Sequence, residues 1–240
     1  MTSSTRLLAW PALLAAVLAP LAGACGAVRD TAAIVGAVGS ASGGAVDGGI
    51  SSVNGKPITA LAIIPSTATL VTSGAGVTSQ FHAIATLADG TTTDVSSAVT
   101  WGSNEPQVGS IAATGVYTAP GALGGVVSIT ASTGGRSGAA VLTVDLRLPV
   151  AGAPPSDAGG PLQGATTPDP TVRMAYPYDG TAFPRDIDEA PLMWLNGATS
   201  DVYLVHLSSS TFDYQAYVSA PSARYDFDPT VWQRFTESTS

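Results

Sequence analysis

Short stretches in which apolar and polar residues alternate, separated by Gly, Pro, Asn and Asp, fill residues 57–147 of this chain. In Gln80–Ala88, every second residue from Phe81 to Leu87 is apolar. This period of two indicates a half-buried β-strand, because successive side chains of a strand point to opposite faces. Asp89 and Gly90 then predict a tight hairpin turn, because glycine adopts a positive φ without a Cβ penalty. Several such strands within about 90 residues predict a two-sheet β-sandwich.

Eight strands are predicted in this segment. They are Ile58–Ile64, Gln80–Ala88, Thr91–Val95, Val99–Trp101, Val108–Ile111, Gly115–Thr118, Val126–Ser132 and Ala139–Leu146. Trp101 is the bulkiest apolar residue among them, so we expect it at the centre of the core.

The same segment resembles a known family. The stretches ITALAIIPSTATL, QFHAIATLADGTTTDVSSAVTWGSNEP, GSIAATGVYTAPG and SITASTGGRSGAAVLTV follow one another in the order of the bacterial immunoglobulin-like domain, group 2. The resemblance covers residues 57–147 and implies an immunoglobulin-like sandwich of the kind found in adhesins and in accessory modules of polysaccharide-active enzymes. The family has no shared catalytic residues, so it implies none here.

The amino terminus has the pattern of an export signal. Arg6 precedes an apolar run, Leu7–Leu18, which is too short to span a bilayer of about 30 Å as a stable helix. Small residues then lead to Cys25, which is the only cysteine of the chain. A lone cysteine in an exported protein is either a free thiol or modified. We therefore predict a signal peptide over residues 1–24.

The residues before Cys25 resemble a bacterial lipobox, although Leu21 lies four positions before the cysteine rather than the usual three. The resemblance implies cleavage before Cys25, lipid on its sulfur and its new amino group, and an outer-membrane or cell-surface location. An ordinary signal peptide, with a periplasmic or secreted product, is the alternative. Residues 25–56 are nearly all Ala, Gly, Ser and Val and are expected to form a disordered tether.

A second module is predicted after a Pro- and Gly-rich linker, residues 148–170. Within residues 171–240 the predicted strands are Leu192–Leu195, Asp201–Leu207, Phe212–Val218 and Ala223–Phe227. Pro191 and Trp194 ahead of the Tyr203 strand resemble the opening of a fibronectin type III-like module, and YPYDGTAFPR resembles a segment of secreted myxobacterial-type proteins. About 100 residues are usual for such a sandwich, so this module is either a smaller fold or the front part of a longer one. The predicted class is therefore all-β throughout.

Charge and motifs exclude several functions. Only 11% of residues are charged and the net charge is −8, without any run of basic residues, which argues against nucleic acid. No nucleophile elbow or phosphate-binding loop occurs. His82 and His206 stand apart in different modules, and the acidic residues Asp186, Asp188 and Glu189 suit a solvated loop. We predict no enzyme activity, no metal and no cofactor.

The expected function is that of a non-catalytic surface lipoprotein, which serves adhesion, interaction or spacing. The alternative is the front portion or the carbohydrate-binding accessory module of a larger secreted polysaccharide-active enzyme. The expected partners are the membrane, through lipid on Cys25, and a surface polysaccharide or protein. Tyr176, Tyr178 and Trp194 are the candidates for stacking on a glycan.

Overall fold

The computed structural model describes residues 5–11, 49–154, 169–183, 187–198, 200–219 and 222–238, with the backbone alone for residues 5–11. The strands up to residue 147 are β1 (Thr5–Pro11), β2 (Ser52–Val53), β3 (Lys56–Ile64), β4 (Thr67–Thr72), β5 (Val77–Gln80), β6 (His82–Leu87), β7 (Thr92–Asp94), β8 (Thr100–Ser103), β9 (Ser110–Ile111), β10 (Val116–Ala119), β11 (Gly125–Thr133) and β12 (Arg136–Arg147). The later elements are β13 (Arg173–Tyr176), β14 (Leu192–Leu195), β15 (Val202–Ser208), β16 (Phe212–Ser219), β17 (Arg224–Tyr225) and the helix α1 (Pro229–Ser238). The prediction of an all-β, sandwich-like fold is confirmed.

The first module is a sandwich of sheets. Strands β4, β12, β11 and β8 form one side, and β2, β3, β6 and β7 form the other, with β5, β10 and β9 in a small third sheet. Alternation along each strand sends one set of side chains inward. The side chains at the centre of this core have no measurable exposure; they include Phe81, Tyr117, Val127, Ile129, Leu142 and Val144.

The hairpin turn predicted at Asp89 and Gly90 is present between β6 and β7. Gly90 has a φ of 81°, and its amide donates to the carbonyl of Leu87 over 2.9 Å. The Asp89 carboxylate pairs with Lys56 and accepts hydrogen bonds from the hydroxyl and the amide of Thr91. These contacts hold the pKa of Asp89 well below its ordinary value. A short-range sequence signal thus determined this turn.

Trp101 does not occupy the centre of the core. It is only partly buried, on the edge strand β8, where its indole Nε1 donates to the carbonyl of Ser96 over 2.9 Å. The expectation was wrong because an edge strand has core neighbours on one side only. Phe81 and Tyr117, which lie between the sheets, fill the centre instead.

The first module begins earlier than expected. Strand β2 pairs with the start of β3, and the Ile50 carbonyl accepts a hydrogen bond from the Thr133 hydroxyl over 3.0 Å. Residues 49–56, predicted as the end of the disordered tether, therefore belong to the fold. Cys25 and the rest of the predicted tether lie outside the described residues.

The two modules share one sheet. Strand β12 runs on from the first module, and Leu146 and Arg147 pair in parallel with Phe212 and Asp213 of β16. The chain continues this pairing beyond β12: the Leu148 amide donates to the Asp213 carbonyl, and Ala151 exchanges hydrogen bonds with β16, each over 2.9 Å. The start of the predicted linker is thus hydrogen-bonded to the second module, and its residues 155–168 lie outside the described part of the chain.

The second module packs β15 and β16 against a small sheet of β13, β14 and β17, with α1 alongside. Helix α1 begins after Asp228, whose carboxylate accepts the amide of Thr230 over 2.8 Å, and Pro229 occupies its first turn. Trp232 and Phe235 of the helix enter the core. The predicted strands of this module are confirmed in position, and the helix adds apolar side chains to its core.

Candidate interaction surface

The outer side of the β4, β12, β11 and β8 sheet presents a broad area without charge, which we call the uncharged face. Alternation places its side chains opposite the core-facing ones. Its residues are Thr67, Thr69, Val71, Thr100, Val126, Ser128, Thr130, Ser132, Ser137, Ala139, Val141 and Thr143. Every one carries a hydroxyl or a small apolar group.

Strand register arranges these side chains in rows. Thr69, Thr143 and Val126 are directly paired across three strands, and Thr67, Val141 and Ser128 form the next row. Neighbouring strands lie about 4.8 Å apart, and side chains on one face repeat about every 6.8 Å along a strand. The uncharged face is therefore a regular array of methyl and hydroxyl groups.

The uncharged face leaves large apolar side chains in water. Val71 and Val126 are each 53% exposed, and Val141 is 46% exposed. Single exposed valines are ordinary, but a group on one face favours contact with another surface.

Sequence reasoning missed part of this surface, because β4 was not predicted. Its sequence alternates, with Thr67, Thr69 and Val71 outward and Ala68 and Leu70 packed against the core. The period of two was therefore a usable signal. What the sequence lacks is any sign that β4 pairs in parallel with β12, some 70 positions later.

A polar cluster borders the uncharged face where the modules meet. The Arg147 guanidinium donates to the Asp145 carboxylate over 2.7 Å, and this contact raises the pKa of Arg147 above its ordinary value. Arg147 is paired across the strands with Asp213, whose carboxylate lies 2.8 Å from Nε2 of His206. The charges therefore lie at one end of the surface.

Trp194 is a core residue. Its side chain is 2% exposed and its ring centroid lies 4.6 Å from that of Tyr203. Stacking on a sugar needs a free ring face, so this position corrects the expectation that Trp194 contributes to a glycan platform.

Tyr176 and Tyr178 lie together near the surface. Tyr178 is 71% exposed, and its ring meets Tyr176 edge to face, with the centroids 6.3 Å apart. Tyr176 in turn contacts Phe183, which contacts Trp232 of the core. Among the three stacking candidates, only Tyr178 thus combines an aromatic ring with extensive exposure, and its perpendicular neighbour does not extend it into a flat platform.

The two histidines lie in separate modules, each beside one carboxylate. His82, at the exposed start of β6, lies 3.0 Å from the Asp94 carboxylate, and His206 lies beside Asp213 of the second module. Across the described residues, no three His, Cys, Asp or Glu side chains are grouped closely enough to hold a metal ion. Asp186 lies outside those residues, as does Cys25. No helix in the described ranges has the length and apolar character needed to cross a membrane.

Comparison with known proteins finds a partial similarity. No family model matches the chain. Over 106 residues, or 44% of its length, the chain is 36% identical to a protein described as Ice-binding protein 1 from Shewanella frigidimarina (strain NCIMB 400). The aligned stretch makes up 11% of that relative, so the chain spans a small fraction of its length.

Proposed function

We propose that this chain is a non-catalytic lipoprotein of the bacterial surface, which uses the uncharged face to contact an uncharged partner outside the cell. The single observation that carries the proposal is the regular array of threonine, serine and valine side chains on one rigid sheet. A partner of this kind offers hydroxyls and apolar patches rather than charge, as a neutral surface polysaccharide does.

The physical argument rests on what this surface can and cannot attract. The chain carries a net charge of −8, and on this side of the sheet Asp145 and Arg147 lie at the end next to Val71, away from the rest of the uncharged face. Electrostatic steering therefore contributes little at this surface. Contact with a complementary surface removes the exposed valines from water, while the threonine hydroxyls form hydrogen bonds with the partner. The rigid sheet lowers the ordering cost of binding.

A retention experiment tests this proposal. The protein is passed over insoluble neutral polysaccharides, and over ice as well, because the partial relative is named for ice. Thr69→Glu and Thr130→Glu each place a negative charge on the uncharged face. The partner would have to bury that charge, so each substitution is expected to abolish retention. Thr92→Glu adds the same charge on the opposite sheet and serves as the matched control. Equal retention of all three variants, or none by the wild type on any surface, contradicts the proposal.

The second candidate function is a carbohydrate-binding accessory module of a larger polysaccharide-active enzyme. The exposed ring of Tyr178 favours it, because an aromatic face is the usual stacking partner of a sugar ring. For this candidate, Tyr178→Ala is expected to lose retention on the insoluble polysaccharides, whereas Thr69→Glu is expected to keep it. The two candidates therefore predict opposite patterns for the same pair of variants.

Anchoring by lipid at Cys25 forms part of the proposal. Acyl chains contribute about 0.8 kcal/mol per buried methylene, so more than one chain holds a protein on a membrane durably. The expressed protein is expected to enter the detergent phase and to incorporate labelled lipid, and Cys25→Ser is expected to do neither. Label on the Cys25→Ser variant contradicts this assignment.

A further inference from the structure

Strand β15 has the composition of an interior strand. Its sequence is VYLVHLS, and Tyr203, Leu204, Val205 and Leu207 are each 7% exposed or less. Tyr203, Val205 and Leu207 face the core of the second module, whereas Leu204 is buried on the opposite side, across from Tyr217. Burial on both faces is typical of strands in a sheet that is covered on both sides.

Strands at the edge of a sheet usually carry features that prevent further pairing, such as lysine, proline, a bulge or an inward charge. Strand β15 carries none of these. It pairs with β16 in unbroken antiparallel register from Val202 to Ser208. The histidine of the strand, His206, is hydrogen-bonded to Asp213 of β16. Nothing in β15 therefore opposes a strand at its other edge.

An extended segment lies along that other edge. Thr5–Pro11 pairs in parallel with β15 over its whole length, from Thr5 opposite Val202 to Pro11 opposite Ser208. The backbone groups of β15 are thereby hydrogen-bonded on both sides, as buried backbone groups require. The β15 edge thus accepts an extended strand of seven residues.

We propose that the β15 edge is a strand-addition site for a partner polypeptide. The inference rests on the proposed export, since removal of residues 1–24 takes Thr5–Pro11 away and leaves β15 unpaired on this side. The partner supplies an extended strand whose alternate residues are apolar, because positions next to Tyr203, Val205 and Leu207 continue the core. In a second copy of the chain, Tyr203, Val205 and Leu207 are already buried in that copy's own core. Pairing with a second β15 would therefore add backbone hydrogen bonds but no new apolar burial.

The test follows amide hydrogen exchange of Val202–Ser208 in the full chain carrying Cys25→Ser, where export plays no part. Leu7→Pro with Ala9→Pro removes two backbone amides from the paired segment and disfavours its pairing. The two prolines are therefore expected to speed exchange of the β15 amides that face this segment about tenfold or more. Ala15→Pro with Val17→Pro, outside the paired segment, is the control and leaves β15 slow. Near-ultraviolet circular dichroism checks that the aromatic core stays folded.

A synthetic peptide of residues 4–12 is then added to the Leu7→Pro, Ala9→Pro variant. Restored protection of Val202–Ser208, with no effect of a peptide carrying the same two prolines, supports the strand-addition site. Unchanged exchange in the proline variant, or a peptide that restores nothing, overturns it. Light scattering shows whether the protein dimerises under the same conditions. If Val202–Ser208 are protected only in the dimer, the edge pairs with a second copy of the chain, and the proposal is overturned. Amino-terminal sequencing of the exported protein tests cleavage separately, so a failure of export is distinguishable from a failure of the acceptor edge.

Discussion

The amide of Gly124 donates a hydrogen bond to the hydroxyl of Ser238 over 2.8 Å, joining residues 114 positions apart. Gly124 lies just before β11 of the first module, and Ser238 ends helix α1 of the second. The Ser238 carbonyl accepts a hydrogen bond from the hydroxyl of Thr211, the residue just before β16. The end of α1 is thus tied to both modules beside the strands that join them.

Replacing Ser238 with alanine is expected to lower the free energy of unfolding by about 1–3 kcal/mol, because the buried Gly124 amide loses its acceptor. Urea denaturation measures the change. Ser137→Ala, on the exposed end of the uncharged face, is the control and is expected to change stability by less than about 0.5 kcal/mol. Equal effects of the two substitutions would show that the hydrogen bond between Gly124 and Ser238 does not contribute to the free energy of unfolding.

Trp194→Ala is expected to destabilise the protein by about 3–5 kcal/mol, because it leaves a large cavity beside Tyr203 in the second core. Tyr178→Ala removes a ring that is 71% exposed and is expected to be nearly neutral. Chemical denaturation of both variants separates a core residue from a surface one. A stable Trp194→Ala variant would contradict the packing described above.

Asp94 is expected to make the protein sensitive to acid. The Ser96 hydroxyl and amide donate to its carboxylate and lower its pKa below the ordinary 3.8, with a smaller contribution from His82. A pKa lowered in the folded state gives stability that is present above pH 3.8 and is lost as the pH falls through the lowered value.

The measurement is the urea midpoint between pH 6 and pH 2, together with an NMR titration of the Asp94 carboxyl. Asp94→Asn is expected to flatten the acid side of the profile, whereas Asp179→Asn, at an exposed position of the second module, is expected to leave it unchanged. An Asp94 titration at or above 3.8 would refute the assignment.

Tyr117 is expected to limit stability in alkali. Burial raises its pKa from 10.0 to about 12, so the stability linked to its neutral form is present below pH 10 and is lost as the pH rises toward 12. Its buried hydroxyl has no hydrogen-bond partner within the described structure. Tyr117→Phe is therefore expected to be neutral or stabilising at pH 7 and to weaken the alkaline loss.

Denaturation midpoints at pH 7 and at pH 11 give this comparison, with Tyr178→Phe as the exposed control. A Tyr117→Phe variant that is clearly less stable at pH 7 would mean that the hydroxyl has a bonding role after all.

Strand positions were predictable where the signal is local. Predicted and observed bounds agree for Leu192–Leu195 and differ by a residue for the strands containing Tyr203 and Tyr214. The turn at Asp89 and Gly90 is equally local, because it depends on the φ of one residue. The alternation of β4 was present in the sequence as well, although it was not predicted.

The sequence by itself determined the all-β class, most of the strands and the turn at Asp89 and Gly90, because each depends on residues within a few positions of one another. Only the tertiary structure decided which strands are neighbours. The uncharged face depends on that pairing, so the sequence did not reveal it. The tertiary structure placed Trp101 at an edge and Trp194 in a core, joined β12 to β16, and assembled the uncharged face from strands as far apart as Thr67 and Thr143. Pairings between distant strands depend on how whole sheets bury their apolar sides, and no local pattern encodes that choice.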